Sequence, residues 1–223
     1  MLKKVAVLFS GGKDSCLALH KVLEDGMEVS YLLTILPENQ DSFMFHKPYL
    51  NLLEKQAEML GIELIIIGSK GEKEKELEDL KKLIETVKDK VDGIVVGGIA
   101  SEYQGSRIKK ICDEFGLEFI APILGYKSER VWEELLDNGF KVILTKRACE
   151  GLTNEFLGKV IDNKVFEELK KRSEKYKFRI DFEGGEAESA VTYMPGFSKE
   201  IKIDFKIVQE GEYNAILTIS KLK

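Results

Sequence analysis

Six residues near the start of the chain, Ser10, Gly11, Gly12, Lys13, Asp14 and Ser15, stand between an apolar run and the first helical pattern. Two adjacent glycines let the backbone turn sharply and approach a ligand with no Cβ in the way. The N–H groups that open a helix lack intrahelical acceptors, and the helix dipole favours an anion there. Lys13 adds an ammonium, and Ser10 and Ser15 add hydroxyls, so the string reads as an oxyanion cradle. It is not a Walker loop, because the spacing G-x-x-x-x-G-K-[ST] is absent and Asp14 follows the lysine; nor is it G-x-G-x-x-G. Two glycines alone would also serve as plain punctuation between a strand and a helix.

The elements around the cradle follow from hydrophobic periodicity. Strands are expected at Lys3–Phe9, Val29–Leu36, Ile62–Ile67, Ile94–Val96 and Leu117–Ile120, each apolar nearly throughout. Helical patterns fall between them at Ser15–Asp25, Pro48–Leu60, Glu72–Lys90 and Ser101–Phe115, with Gly61 and Gly116 as stops. Strands apolar on both faces, alternating with helices, predict a doubly wound, mostly parallel five-stranded sheet. Ligands of such sheets bind beyond the carboxyl ends of the strands, which is where Ser10–Ser15 leaves the first strand. Beyond Pro122 the rhythm changes. Helices are expected at Ser128–Asn138 and Asp162–Lys175, and strands at Phe140–Thr145, Val191–Tyr193, Lys199–Val208 and Tyr213–Ile219. Ile201, Ile203, Phe205 and Ile207 alternate with polar residues, the pattern of an antiparallel strand with one wet face. The division is therefore a nucleotide-binding domain at 1–124 and a C-terminal α+β domain at 125–223, with the Phe140–Thr145 strand able to join either sheet.

Composition narrows the classes. Of 223 residues 43% are hydrophobic and 33% charged, which suits a globular chain with a sizeable core. The formal net charge of −5 lacks the basic excess of a protein that grips nucleic acid, so stable nucleic-acid binding is not expected. Cys16, Cys112 and Cys149 lie far apart with no Cys-x-x-Cys pair, which disfavours a structural zinc site and suits a reducing compartment. The opening residues form too short an apolar run for a signal peptide, and no segment reaches a membrane span, so the cytoplasm is the expected location, with no membrane partner. A homodimer is compatible with the chain.

The string SGGKDS resembles the SGG-x-DS loop, the PP-loop, of the ATP pyrophosphatase superfamily at all its fixed positions, in the strand-to-helix setting that superfamily uses. The resemblance implies an adenine nucleotide alpha hydrolase-like (HUP) fold whose loop holds the β- and γ-phosphates of ATP. A nucleophile then attacks the α-phosphorus to give an adenylated intermediate, with Asp14 helping to place Mg2+. Three further strings extend the likeness over essentially the whole chain: VVGGIASEYQGSRI at 95–108, KRACEGLTNEFLGKVID at 146–162, and EGGEAESAV at 183–191 followed by MPGF. Together with the loop they resemble the diphthine–ammonia ligase family. That family's activity is the amidation of a carboxylate-bearing modified histidine, diphthine, on elongation factor 2. Nothing in the sequence looks like a glutaminase domain, so the amine is expected to arrive as free ammonium.

On this reading the nucleotide is held by Ser10, Gly11, Gly12, Lys13, Asp14 and Ser15, with Gly97 and Gly98 bordering the α-phosphate in a 3-2-1-4-5 strand order. Ser101, Tyr103 and Arg107 follow at a helix start, and Arg107 could face the phosphates or the substrate carboxylate. Ser101 with Gln104 also reads as a capping box, and both readings can hold together. Phe45 and His46 lie after the second strand, where the adenine would rest, although a lone histidine is more often structural. Lys13, Asp14, Glu186 and Glu188 are the expected catalytic residues, the two glutamates taking a proton from ammonium or binding it. From spacing alone GGEAES is a polar turn before a strand; the resemblance favours a site facing the PP-loop. Cys16 is expected in the core, and His20 packed or exposed. Two rivals stand beside this reading: a PP-loop tRNA-modifying enzyme, disfavoured by the acidic balance, and a sensor that binds ATP without turnover.

Overall fold

β1 (Lys4–Leu8) buries Val5, Ala6 and Val7 completely. A strand does this only where both faces are covered, which calls for helices on each side of a parallel sheet. The computed structural model describes residues 2–37, 49–70, 75–98 and 102–223, with the backbone alone at 102–104. In it β1 pairs in parallel with β2 (Glu28–Pro37) and β4 (Gly93–Val95). β3 (Glu63–Ser69) and β5 (Glu118–Ile120) extend the sheet, giving the order β3-β2-β1-β4-β5. The doubly wound parallel sheet expected from the sequence is the fold of this unit, Met1–Leu124.

The helices between these strands are α1 (Lys13–Glu24), α2 (Leu50–Leu60), α3 (Lys75–Glu85) and α4 (Glu102–Phe115). On one face of the sheet Ala6, Leu33, Ile35 and Ile94 meet Leu80, Leu83 and Ile84 of α3 and Ile108, Ile111 and Cys112 of α4. Side chains alternate along a strand, so Val5 and Val7 turn to the opposite face from Ala6. α1 packs on β1, β2 and β4 and buries Cys16, Leu17 and Leu19. The chain winds outward through β2 and β3 on one side of β1 and through β4 and β5 on the other. The crevice at that reversal lies between the carboxyl ends of β1 and β4.

The second unit, Gly125–Lys223, is an antiparallel sheet in the order β7-β6-β9-β8. Its strands are β6 (Lys141–Ala148), β7 (Ala187–Tyr193), β8 (Ile203–Gln209) and β9 (Asn214–Leu222). α5 (Ser128–Asp137), α6 (Asn163–Tyr176) and a 3-10 turn at Asn154–Phe156 accompany them. Trp132 of α5 is fully buried between Phe166 and Phe182, at centroid distances of 5.8 and 5.9 Å. Its Nε1 donates to the Ile180 carbonyl at 2.7 Å, so the indole is buried with its polar atom satisfied.

Several element boundaries differ from those read in the sequence, among them β8, which begins at Ile203 rather than Lys199, and β9, which runs to Leu222 rather than Ile219. The third helix closes at Glu85 rather than Lys90, because Thr86 Oγ1 takes the Leu83 carbonyl at 2.7 Å and the following amides make tighter bonds, Val87 N to Ile84 O and Lys90 N to Val87 O. The strand expected at Phe140–Thr145 spans Lys141–Ala148, and of the two sheets left open to it, it joins the second, pairing with β7 and β9. β7 begins at Ala187 rather than Val191, so the strand takes in part of the GGEAES string. Its ladder partner, β6, lies about 40 residues away in sequence and leaves no local signal of this extension.

Candidate functional site

The Ser10–Ser15 loop leaves β1 and turns at Gly11, whose φ of 72° is a conformation that a side chain would strain. Gly12 is extended and caps α1, and Lys13 opens the helix. The two serines knit the loop's own backbone. Ser15 Oγ donates to Gly12 O at 3.2 Å, accepts from Ser10 N at 3.3 Å, and shares a 3.1 Å hydrogen bond with Ser10 Oγ. Lys13 is 3% exposed, and its ammonium lies 2.6 Å from Asp14 Oδ2. The first turn of α1 thus joins helix N–H groups, a held cation and an acceptor, the set an oxygen-rich polyanion with a counter-ion needs.

Two braces fix this loop from outside. Gln56 of α2 is 1% exposed, and its Nε2 donates to Gly11 O at 2.9 Å. A Cβ at Gly11 would stand 2.1 Å from Gln56 Oε1. Gly97, just past β4, is the second brace: a Cβ there would stand 2.6 Å from Ser15 N and 2.7 Å from the Asp14 carbonyl. The end of β4 therefore lies directly against the backbone of the loop. Thr34 of β2 adds a third tie, donating from Oγ1 to Phe9 O at 2.5 Å. The sequence reading missed Gln56 and Thr34. A buried glutamine on the otherwise apolar face of α2, beside Leu52, Leu53 and Ala57, was the available signal.

Arg107 lies half-buried on α4, near the start of that helix. Phe45, His46 and Ser101 lie outside the described residues, as does the side chain of Tyr103. Cys16 is in the core, and burial pushes its thiol well above the ordinary value, so it is no nucleophile at neutral pH. Burial likewise raises Cys112 to about 11. Cys149 also reaches about 11, through burial first and then the nearby charge of Glu186. His20 is buried on α1 with its Nε2 3.4 Å from Glu24.

In the second unit, the GGEAES string turns into β7. Glu186 is a turn residue whose carboxylate folds back on its own chain, accepting from Arg179 N at 3.1 Å and Gly184 N at 2.9 Å. Gly184 makes this possible, since a Cβ there would stand 2.6 Å from Glu186 Oε1. Glu188 lies on β7 opposite Lys146 of β6, and the two form an ion pair at 3.2 Å. The structure thus places both glutamates beside β6, each with a partner in the same unit. Among the described residues no group of three His, Cys, Asp or Glu could by itself hold a metal ion.

Comparison with known proteins joins these two units in one family. The profile of the diphthamide synthase N-terminal domain matches residues 3–119, and that of the diphthamide synthase C-terminal domain matches residues 127–223. The chain belongs to the diphthamide synthase family. It is 30% identical to the diphthine–ammonia ligase of Bos taurus, over 99% of this chain and 90% of that protein. The human diphthine–ammonia ligase is also 30% identical, with the same coverage of both chains. Among solved structures, a predicted subunit of tRNA methyltransferase from Methanocaldococcus jannaschii covers 89% of this chain and 100% of its own, at 20% identity and a TM-score of 0.44. No helix among the described residues of this family member is long and apolar enough to cross a membrane.

Proposed function

We propose that this chain is an ATP-dependent diphthine–ammonia ligase. It adenylates the carboxylate of diphthine on elongation factor 2, releases pyrophosphate, and lets ammonia displace AMP to leave the amide. The observation that carries the reading is the braced loop: Gly11 at positive φ, the start of α1 behind it, and Gly97 packed on its backbone, in a chain whose two halves match both domains of the family. A carboxylate is a poor acyl donor until one oxygen becomes a leaving group, and adenylation supplies that. The nucleotide phosphates would lie on the glycines and the first amides of α1, in a loop that Gln56 and the end of β4 hold by contacts a Cβ at Gly11 or Gly97 would break. Lys13 would stabilise negative charge that builds on the departing pyrophosphate, held in position by Asp14.

Mg2+ fits this loop as a shared ligand. Asp14 offers one carboxylate, and the remaining positions would fall to phosphate oxygens and water, the usual habit of this ion. When bound, it neutralises phosphate charge. Gly98 and Arg107 complete the proposed nucleotide contacts, along with Phe45, His46, Ser101 and Tyr103. Glu186 and Glu188 are proposed to face the ammonium and accept its proton. Their turn-forming and ion-pair roles do not exclude this, because each carboxylate has lone pairs to spare. The proposed setting is the cytoplasm, and a homodimer is compatible with the reading.

The deciding experiment incubates the protein with ATP, Mg2+ and ammonium, with and without diphthine-bearing elongation factor 2. AMP and pyrophosphate should appear only with all components present. ADP and phosphate as main products would overturn the reading. Glu186→Gln and Glu188→Gln should keep ATP binding but slow amide formation by roughly 100-fold, and a double variant at the native rate would remove them from the reaction.

A further inference from the structure

β8 is an edge of the second sheet: β9 pairs with one side of it, and among the described residues no strand pairs with the other. The ladder fixes which backbone groups face that open side. Lys202 and Lys223 exchange N–H···O bonds at 3.0 and 2.9 Å, and Glu210 N donates to Asn214 O at 2.9 Å, so the even-numbered residues of β8 turn to β9. The one irregularity adds Ser220 to β9 and leaves the alternation along β8 intact. Ile203, Phe205, Ile207 and Gln209 therefore aim their N–H and C=O groups outward. Unpaired groups of this kind template another strand, and edges are usually blunted by lysine, proline, a bulge or short length. β8 is 7 residues long, with Lys206 but no proline and no extra residue of its own.

The strand is also bare on its faces. Asp204, Lys206, Ile207, Val208 and Gln209 are all exposed, Ile207 at 40% and Val208 at 43%. β-Branched side chains on an open edge are an aggregation liability unless something covers them. Among the described residues Lys206 has no ion pair, and Asp204 has one, to Lys223 at 2.6 Å.

We propose that β8 pairs antiparallel with β8 of a second copy of this chain, about a two-fold axis at Phe205. In that register Phe205 faces the partner's Phe205 and Ile203 faces the partner's Ile207, in hydrogen-bonded pairs that use the outward backbone groups. Asp204 faces the partner's Lys206 in a non-hydrogen-bonded pair, where side chains come closest, and symmetry repeats the contact. Sliding the strands one step either way would set Asp204 against the partner's Asp204, or Lys206 against the partner's Lys206, like charges directly opposite. The sequence of β8 is thus self-complementary in one antiparallel register, as an isologous interface requires. The two 4-stranded sheets become one continuous sheet. Ile207 gains cover from the partner's Ile203, and Val208 from the alkyl stem of the partner's Lys202. None of this rests on the amidation reading.

Analytical ultracentrifugation of the full-length protein from about 1 to about 300 µM, the span suited to a small interface, should show a monomer–dimer equilibrium. Ile207→Pro deletes an outward N–H and no bond to β9. It should keep the native circular dichroism spectrum and weaken dimerisation by roughly 100-fold. Lys206→Glu and Asp204→Lys should each weaken it by about tenfold or more. The double variant carrying both should regain native dimer affinity, because each charge meets its opposite again; this exchange tests the same pairing if Ile207→Pro does not fold. A chain that stays monomeric throughout overturns the proposal. A dimer indifferent to Ile207→Pro overturns the edge as its interface, and one that the double exchange fails to restore overturns the register. If elongation factor 2 occupies the edge instead, the chain is monomeric and Ile207→Pro abolishes its capture by that factor, which overturns pairing between copies.

Discussion

Gly97→Ala adds one carbon at the point where β4 meets the loop. Its nearest neighbours are Ser15 N at 2.6 Å and the carbonyl carbon and oxygen of Asp14 at 2.7 Å. All three are backbone atoms, so no side-chain rotation relieves the clash. Ordinary contact begins at 3.4 Å, so the start of α1 must retreat by about 0.8 Å, the overlap that packing does not tolerate. Overpacking of this kind costs about 1–3 kcal/mol of stability. The larger effect falls on chemistry. A displacement of about 1 Å in a positioned reacting group costs on the order of 100-fold in rate, or roughly 2.7 kcal/mol in the barrier. The assay is pyrophosphate release with diphthine-bearing elongation factor 2 across a range of ATP concentrations, alongside urea denaturation. Gly68→Ala on β3 is the control: nothing lies within 4 Å of the added carbon and its φ is ordinary, so both readouts should stay at native values. A Gly97→Ala protein with native kcat/KM would show that this contact does not hold the loop for catalysis. Reduced stability with unchanged activity per folded molecule would refute the same link.

Asp14→Asn should nearly abolish turnover while the fold persists, a loss on the order of 3 kcal/mol in the transition state; steady-state pyrophosphate release and circular dichroism together check it, and near-native turnover removes Asp14 from the reaction. Gln56→Leu deletes the donor to Gly11 O and leaves a buried carbonyl short of its partner, so stability should fall by about 1–3 kcal/mol and ATP affinity by about tenfold as the loop loosens; calorimetry with ATP shows whether it does. Asp181 is buried, which by itself raises its pKa and is the largest single influence, but hydrogen bonds from Arg179, Ser128 and the Glu183 amide outweigh it and hold the carboxyl below its ordinary value of 3.8. A lowered folded-state pKa stabilises the fold above the unfolded value and loses that contribution as pH falls through the folded one. Acid titration of the native protein should therefore show a drop in stability below about pH 4 that is shallower in Asp181→Asn, and identical acid limbs would refute the role.

The sequence by itself determined the first unit's architecture and the centre of its candidate site. Apolar runs such as Val5–Phe9 and Ile62–Ile67 must be covered on both faces, and only a parallel sheet with flanking helices does that. The SGGKDS turn is local: its glycines, its helix start and its lysine act within six residues, so short-range chemistry is enough to read it. What the tertiary structure alone decided depends on pairs far apart in the chain. Gln56 reaches Gly11 across 45 residues, and Gly97 must be glycine only because the turn after Lys13 lies against it. Neither contact leaves a periodicity or a spacing to read. The same holds for β6, whose apolar Val142–Leu144 segment suits either sheet until β7 and β9 pair with it. Glu186 and Glu188 look alike in sequence, yet one closes a turn and the other crosses to Lys146, because strand register and the fold of the preceding loop set where each carboxylate goes. Arg147 is the plainest case. Composition counts it as one more surface charge, and only the packed unit buries it against the amides of Asn154 and Gln209.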